Sequence, residues 1–143
     1  MADQEKPGQL AGLIAEAAEG RLNLRMSPEE FARIDRECAH FVDHVIADVQ
    51  SEMKYVAGIN LWGFGDHPDS LLTSAPAMAE RFRKKAMGQE DGNSFATVLT
   101  ENAHAVEEIR QLFAAMRDRY IEQDRHFADR FHTEAARIDK LPK

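Results

Sequence analysis

SPEEFARIDRECAHFVDHVIADVQSEMKYVA, residues 27–57, decides the class of fold. Ser27 supplies an N-cap hydroxyl, Pro28 takes the first helical position and Glu30 stands three residues after the cap, the capping-box arrangement that opens a helix. From there Phe31, Ile34, Cys38, Phe41, Val42, Val45, Ile46, Val49, Met53 and Val56 recur by threes and fours. At about 100° per residue they form one apolar stripe, which predicts an amphipathic helix, helix A, ending near residue 57. Phe41, Val45 and Val49 are accordingly predicted core positions.

After helix A the periodicity stops. Gly58, Gly63, Gly65 and Pro68 mark a loop to about Ser74. A short helix B follows, with Pro76 tolerated in its first turn and Gly88 ending it. Residues 89–93 are a second break. Helix C then runs from about Ser94 to Asp139, with Phe95, Val98, Leu99, Val106, Ile109, Phe113, Met116, Tyr120, Phe127, Phe131 and Ile138 on one face. At 1.5 Å per residue it would span roughly 65 to 70 Å, against roughly 45 Å for helix A. Antiparallel packing on helix A covers helix C only to about Asp124. Phe127, Phe131 and Ile138 are left without an intrachain cover and are assigned to a dimer interface. Before helix A, residues 1–8 read as a frayed end, and Leu10, Leu13, Ile14, Ala17 and Ala18 predict a short helix stopped at Gly20. The predicted fold is all-α: an antiparallel hairpin of two long helices over residues 27–143, preceded by a tail and short helix over 1–26. A further short helix is inserted in the connection, and the whole pairs into a four-helix bundle.

With 143 residues, 43% of them hydrophobic, the chain is long enough for one core. Its formal charge of −7, from 18 Lys+Arg against 25 Asp+Glu, disfavours nucleic acid and anionic lipid as partners. Arg81, Arg83, Lys84 and Lys85 form only a small basic cluster. The single cysteine, Cys38, excludes an internal disulfide and falls on the apolar stripe of helix A, where a buried inert thiol is the natural state. No apolar run reaches the ~18 residues of a membrane span or resembles a cleavable signal.

Two Glu-x-x-His pairs, Glu37-Cys-Ala-His40 and Glu101-Asn-Ala-His104, have the spacing of carboxylate-bridged di-iron bundles. By helical projection both histidines point away from the stripes, and no further glutamates occupy core positions. His40 and His44 lie one turn apart but lack a third converging ligand for zinc. Neither a metal nor another cofactor is expected, and no Gly-x-Ser-x-Gly, Walker or dinucleotide motif suggests an enzyme.

Two features remain. Trp62-Gly63, with the only tryptophan of the chain, sits where helix A turns back, and either plugs the end of the hairpin or offers an exposed aromatic to a partner. Tyr120 and Asp124, four residues apart, share the inner face of helix C, where a carboxylate needs hydration, a mate or a reader. From about Ser27 to Asp124 these residues resemble the Trp-x-Gly helical-hairpin substrates of type VII secretion systems in actinobacteria and firmicutes, with their longer actinobacterial relatives. Members are two antiparallel helices joined by a Trp-Gly turn, with a Tyr-x-x-x-Asp/Glu export signal after the second helix, and they pair head to tail.

The resemblance implies that Trp62, Gly63, Tyr120 and Asp124 serve export or partner recognition. It implies a homodimer, or a heterodimer with a related hairpin protein, a secretion ATPase as a further partner, and a cytoplasmic stage before export without a cleavable signal peptide. This sequence departs from the pattern in three ways. The turn reads Trp-Gly-Phe-Gly, residues 66–93 insert a short helix, and helix C continues past the motif. Two other classes compete: a cytosolic helical adaptor or immunity-type protein binding one partner, and, more remotely, a metal-binding helical bundle.

Overall fold

The computed structural model describes residues 8–88 and 93–142. The tail expected at residues 1–8 therefore lies, Gly8 apart, outside the described residues, as do residues 89–92 of the second break. The described chain is all-helical: α1 (Ala11–Ala18), α2 (Pro28–His40), a π-helical segment (Phe41–Ile46), α3 (Ala47–Ala57), α4 (Ser74–Met87), α5 (Phe95–Gln123) and α6 (Arg125–Asp139). It divides into two compact units, one of residues 1–42 with 104–143, the other of residues 43–103.

The first unit has a core of large side chains. The capping box of α2 forms as predicted: Ser27 Oγ accepts from the Glu30 amide at 3.2 Å, and the Ser27 amide donates to Glu30 Oε2 at 2.8 Å. One turn on, Phe31 is 1% exposed and is the hub of the unit. Its ring lies 6.4 Å from Phe113, 6.1 Å from Tyr120 and 5.9 Å from Phe127. Asp35 receives a two-pronged bond from Arg110, at 2.8 and 3.3 Å. Between the pairs Phe31–Phe113 and Asp35–Arg110 residue number rises on α2 as it falls on α5. The short N-terminal helix belongs to the same core: Ala17 is fully buried, and a Schellman closure around Gly20 ends α1.

One of the two expected long helices forms over its full length, residues 28–57, and the other is shorter than expected. The expected helix C breaks at Asp124, the one residue between α5 and α6 to leave helical geometry, with φ −135° and ψ 105°. Its carboxylate caps α6 by accepting from the Phe127 amide at 3.1 Å. The chain then folds back so that α6 packs along α2. Phe127, Phe131 and Ile138, expected to be uncovered, are buried with Phe31, Ala32 and Met116 in the core of their own unit. Arg130 anchors α6 through a two-pronged pair with Glu29, at 3.0 and 2.8 Å. Phe127, Phe131 and Ile138 thus have the intrachain cover that they were expected to lack.

Helix A runs from residue 28 to 57 as expected, but with a π-helical segment inside it. A π-helical turn takes about one residue more than an α turn, so positions beyond residues 41–46 are turned back by about 100° from a continuous α-helix. Of the predicted stripe, Ile46 is buried and Val42, Met53 and Val56 are half-buried, as is Gln50, whereas Phe41, Val45 and Val49, predicted for the core, are exposed. In the second unit α3 packs on α4, where the buried residues are Ala75, Ala79 and Ala86. Ser94, 2% exposed, caps α5 by accepting from the Thr97 amide at 3.2 Å.

Candidate functional site

The loop between α3 and α4 is built around one carboxylate. Asp66 accepts from the amides of Trp62, at 2.8 Å, and Gly63, at 3.2 Å, closing residues 62–66 into a tight turn. Gly63 and Gly65 stand at φ +84° and +89°, the left-handed region that only glycine enters without strain. These two amides, that of Trp62 foremost, hold the Asp66 carboxyl below the usual carboxylate range, and Arg83 adds to the effect. Arg83 also ties the loop to α4, donating to the carbonyls of Ile59, at 3.2 and 2.9 Å, and Asn60, at 2.8 Å.

What this framework presents is aromatic. Trp62 and Phe64 both meet Phe82 of α4, at centroid distances of 5.8 and 6.2 Å. Trp62 is half-buried; Phe64 and Phe82 are exposed. The indole Nε1 is buried and has no hydrogen-bond partner among the described residues.

Other large apolar side chains of the second unit are exposed too. Leu71 is 96% exposed and Tyr55 73%. Leu61 and Leu72 of the loop and Met78 of α4 are exposed as well, as are Val45 and Val49 on the α3 side. On the first turns of α5, Phe95 and Val98 are exposed one helical turn apart. Beside Met78 and Phe82, α4 carries Arg81, Arg83, Lys84 and Lys85 against a single acid, Glu80, in a chain that is otherwise acidic.

The four residues singled out for recognition are divided between the units. Trp62 and Gly63 belong to the loop just described. Tyr120 and Asp124 belong to the first unit, and each has a mate there. The Tyr120 hydroxyl donates to the Leu24 carbonyl at 3.2 Å, and its ring stacks on Phe127 at 5.2 Å. Asp124 caps α6, which answers why an acid interrupts the stripe. His40, His44 and His104 are exposed, and among the described residues no three His, Cys, Asp or Glu side chains gather as a metal site would require. Cys38 is half-buried, and burial, with Asp35 second, raises its thiol pKa. Among the described residues no helix is long and apolar enough to cross a membrane.

The sequence did not disclose the Asp66 turn, the Arg83 clamp or the outward face of α3. A Gly-x-Gly-Asp run with an upstream Trp is the only trace of the first. No family model, curated protein or solved structure matches the chain.

Proposed function

We propose that this protein is a non-enzymatic binding subunit that pairs with a second, amphipathic helical protein through the second unit. The observation that carries the proposal is the aromatic cluster of Trp62, Phe64 and Phe82 beside the Asp66 turn, together with the exposed Leu71 and Met78 and the basic residues of α4. A partner helix with an apolar stripe and an acidic rim fits that chemistry, since the stripe buries the exposed side chains and the rim meets Arg81 and Lys84. The Trp62-Gly63 turn and the Tyr120-x-x-x-Asp124 spacing favour a partner of the type VII secretion-associated kind, with the protein itself as substrate or as the substrate's mate. A helical hairpin, paired into a four-helix bundle, is the arrangement such a function would use.

The test is co-expression with the products of neighbouring genes, followed by light scattering on the purified complex. Leu71→Asp with Met78→Asp should weaken pairing at least tenfold while circular dichroism stays unchanged, and Arg81→Glu with Lys84→Glu should do so most at low salt. Pairing indifferent to both sets would overturn the proposal. Export is tested separately in a host with a type VII apparatus, using Tyr120→Phe with Asp124→Asn. Asn still caps a helix, and Phe keeps the ring contacts, so the variant stays folded. Loss of export supports the secretion reading, and normal export removes it.

A further inference from the structure

The break at Asp124 is unusual in what it lacks. Residues 120–128, Tyr-Ile-Glu-Gln-Asp-Arg-His-Phe-Ala, contain neither Gly nor Pro, and the chain reverses over a single residue. On either side the helical ladder is intact: the Asp124 amide donates to the Tyr120 carbonyl at 2.9 Å, and the Ala128 amide to the Asp124 carbonyl at 3.0 Å. Only the amides of residues 125–127 stand between, and that of Phe127 is satisfied by the Asp124 carboxylate. Moving residue 124 into helical geometry would let all three amides reach the carbonyls four residues back. Phe113, Met116, Tyr120, Phe127, Phe131 and Ile138 would then lie on one stripe of a straight rod, because their spacing is already that of a single helix.

We infer that this hinge allows exchange of α6 between two copies of the chain. In the exchanged form α5 and α6 are one continuous helix, and α6 of each copy lies on α2 of the other. The occupant of the vacated place on α2 is therefore a second copy's α6, which brings Phe127, Phe131 and Ile138 to Phe31 and Ala32, and Arg130 to Glu29, in the same contacts made within one chain. Since the contacts are conserved, the balance turns on the hinge and on concentration. A one-residue connection without glycine is the kind that favours exchange. The inference is independent of pairing through the second unit, because it uses only α2, α6 and the part of α5 from His104 on, all in the first.

A cross-link separates the two. In a Cys38→Ala background, Glu29→Cys with Arg130→Cys puts two thiols where the ion pair stood, and a short bis-maleimide joins them. At high protein concentration the exchanged dimer gives covalent dimers in denaturing gels, whereas pairing through the second unit gives only intrachain links. Asp124→Ala, which removes the cap of α6 and favours the straight helix, should raise the dimer association constant by on the order of tenfold, since two caps are involved per dimer. Insertion of Gly-Gly after Asp124 should lower it and return intrachain links. Intrachain links alone at every concentration in the parent and in Asp124→Ala, or a dimer fraction indifferent to both hinge variants, would overturn the inference.

Discussion

Asp66 shows how one side chain sets a surface. Its carboxylate satisfies two amides of the turn carrying Trp62 and Phe64, and those amides keep it ionised below the normal range. A carboxyl whose folded pKa is depressed stabilises the fold above its unfolded value, about 3.9, and that stabilisation is lost as pH falls through the lower folded value. Emission from Trp62 should therefore stay constant from pH 7 to about 4 and change only below that, whereas in Asp66→Ala it should already differ at pH 7. Equal emission from the two proteins at pH 7 would show that the turn does not depend on the carboxylate. Phe31 sits at the opposite extreme, buried against three aromatic rings. Phe31→Ala should destabilise the protein by about 3 to 5 kcal/mol in urea titration. Phe113→Ala should lose less, because Phe113 is only half-buried. Phe31 was legible as an apolar position but not as the hub, because a stripe ranks no position above another. Asp124 was legible as an anomaly, and its meaning as a cap needed the fold, since a carboxylate on an apolar face looks the same in sequence whether the helix ends there or a partner binds it.

Helices were legible where local chemistry marks them. The capping box at Ser27, the stop at Gly20 and the start at Ser94 all lie where hydroxyl and glycine chemistry put them. The π segment of helix A and the break of helix C carried no such mark. Nothing in Phe41–Ile46 announces a π turn, and the spacing of Phe127 and Phe131 continues that of Phe113 and Met116 as if no break intervened. Periodicity records which side chains share a face, not whether the backbone between them stays straight. The burial of Ile46 and the exposure of Val49 beyond the π segment have a measurable outcome. Val49→Ser should change stability by less than about 1 kcal/mol, as at an exposed site, whereas Ile46→Ala should cost about 2 to 5 kcal/mol. An α-helix continuous from residue 28 to 57 predicts comparable losses at both, so urea midpoints of the two variants distinguish the geometries directly.

The two units differ in what they bury, and that difference bears on how the whole molecule behaves. Unit one buries Phe31, Met116, Phe127, Phe131 and Ile138, braced by the Asp35–Arg110 and Glu29–Arg130 pairs. Unit two buries Ile46 and three alanines of α4, and leaves most of its large apolar side chains outside. At roughly 25 cal/mol per Å² of apolar surface removed from water, a core of alanines supplies far less than one of phenylalanines. Amides that open with little loss of buried area exchange at low free energy. In native-state hydrogen exchange, α3 and α4 should therefore be protected at least tenfold less than α2 and α6, a gap of about 1.4 kcal/mol or more. Adding the partner should raise protection in residues 43–103 selectively, because binding stabilises the conformation that it covers. On the proposed function the small core and the exposed apolar side chains share one cause, a partner that completes the second unit. Equal protection of the two units in the isolated protein, or a partner that protects only α2 and α6, would separate the exposed apolar residues from binding.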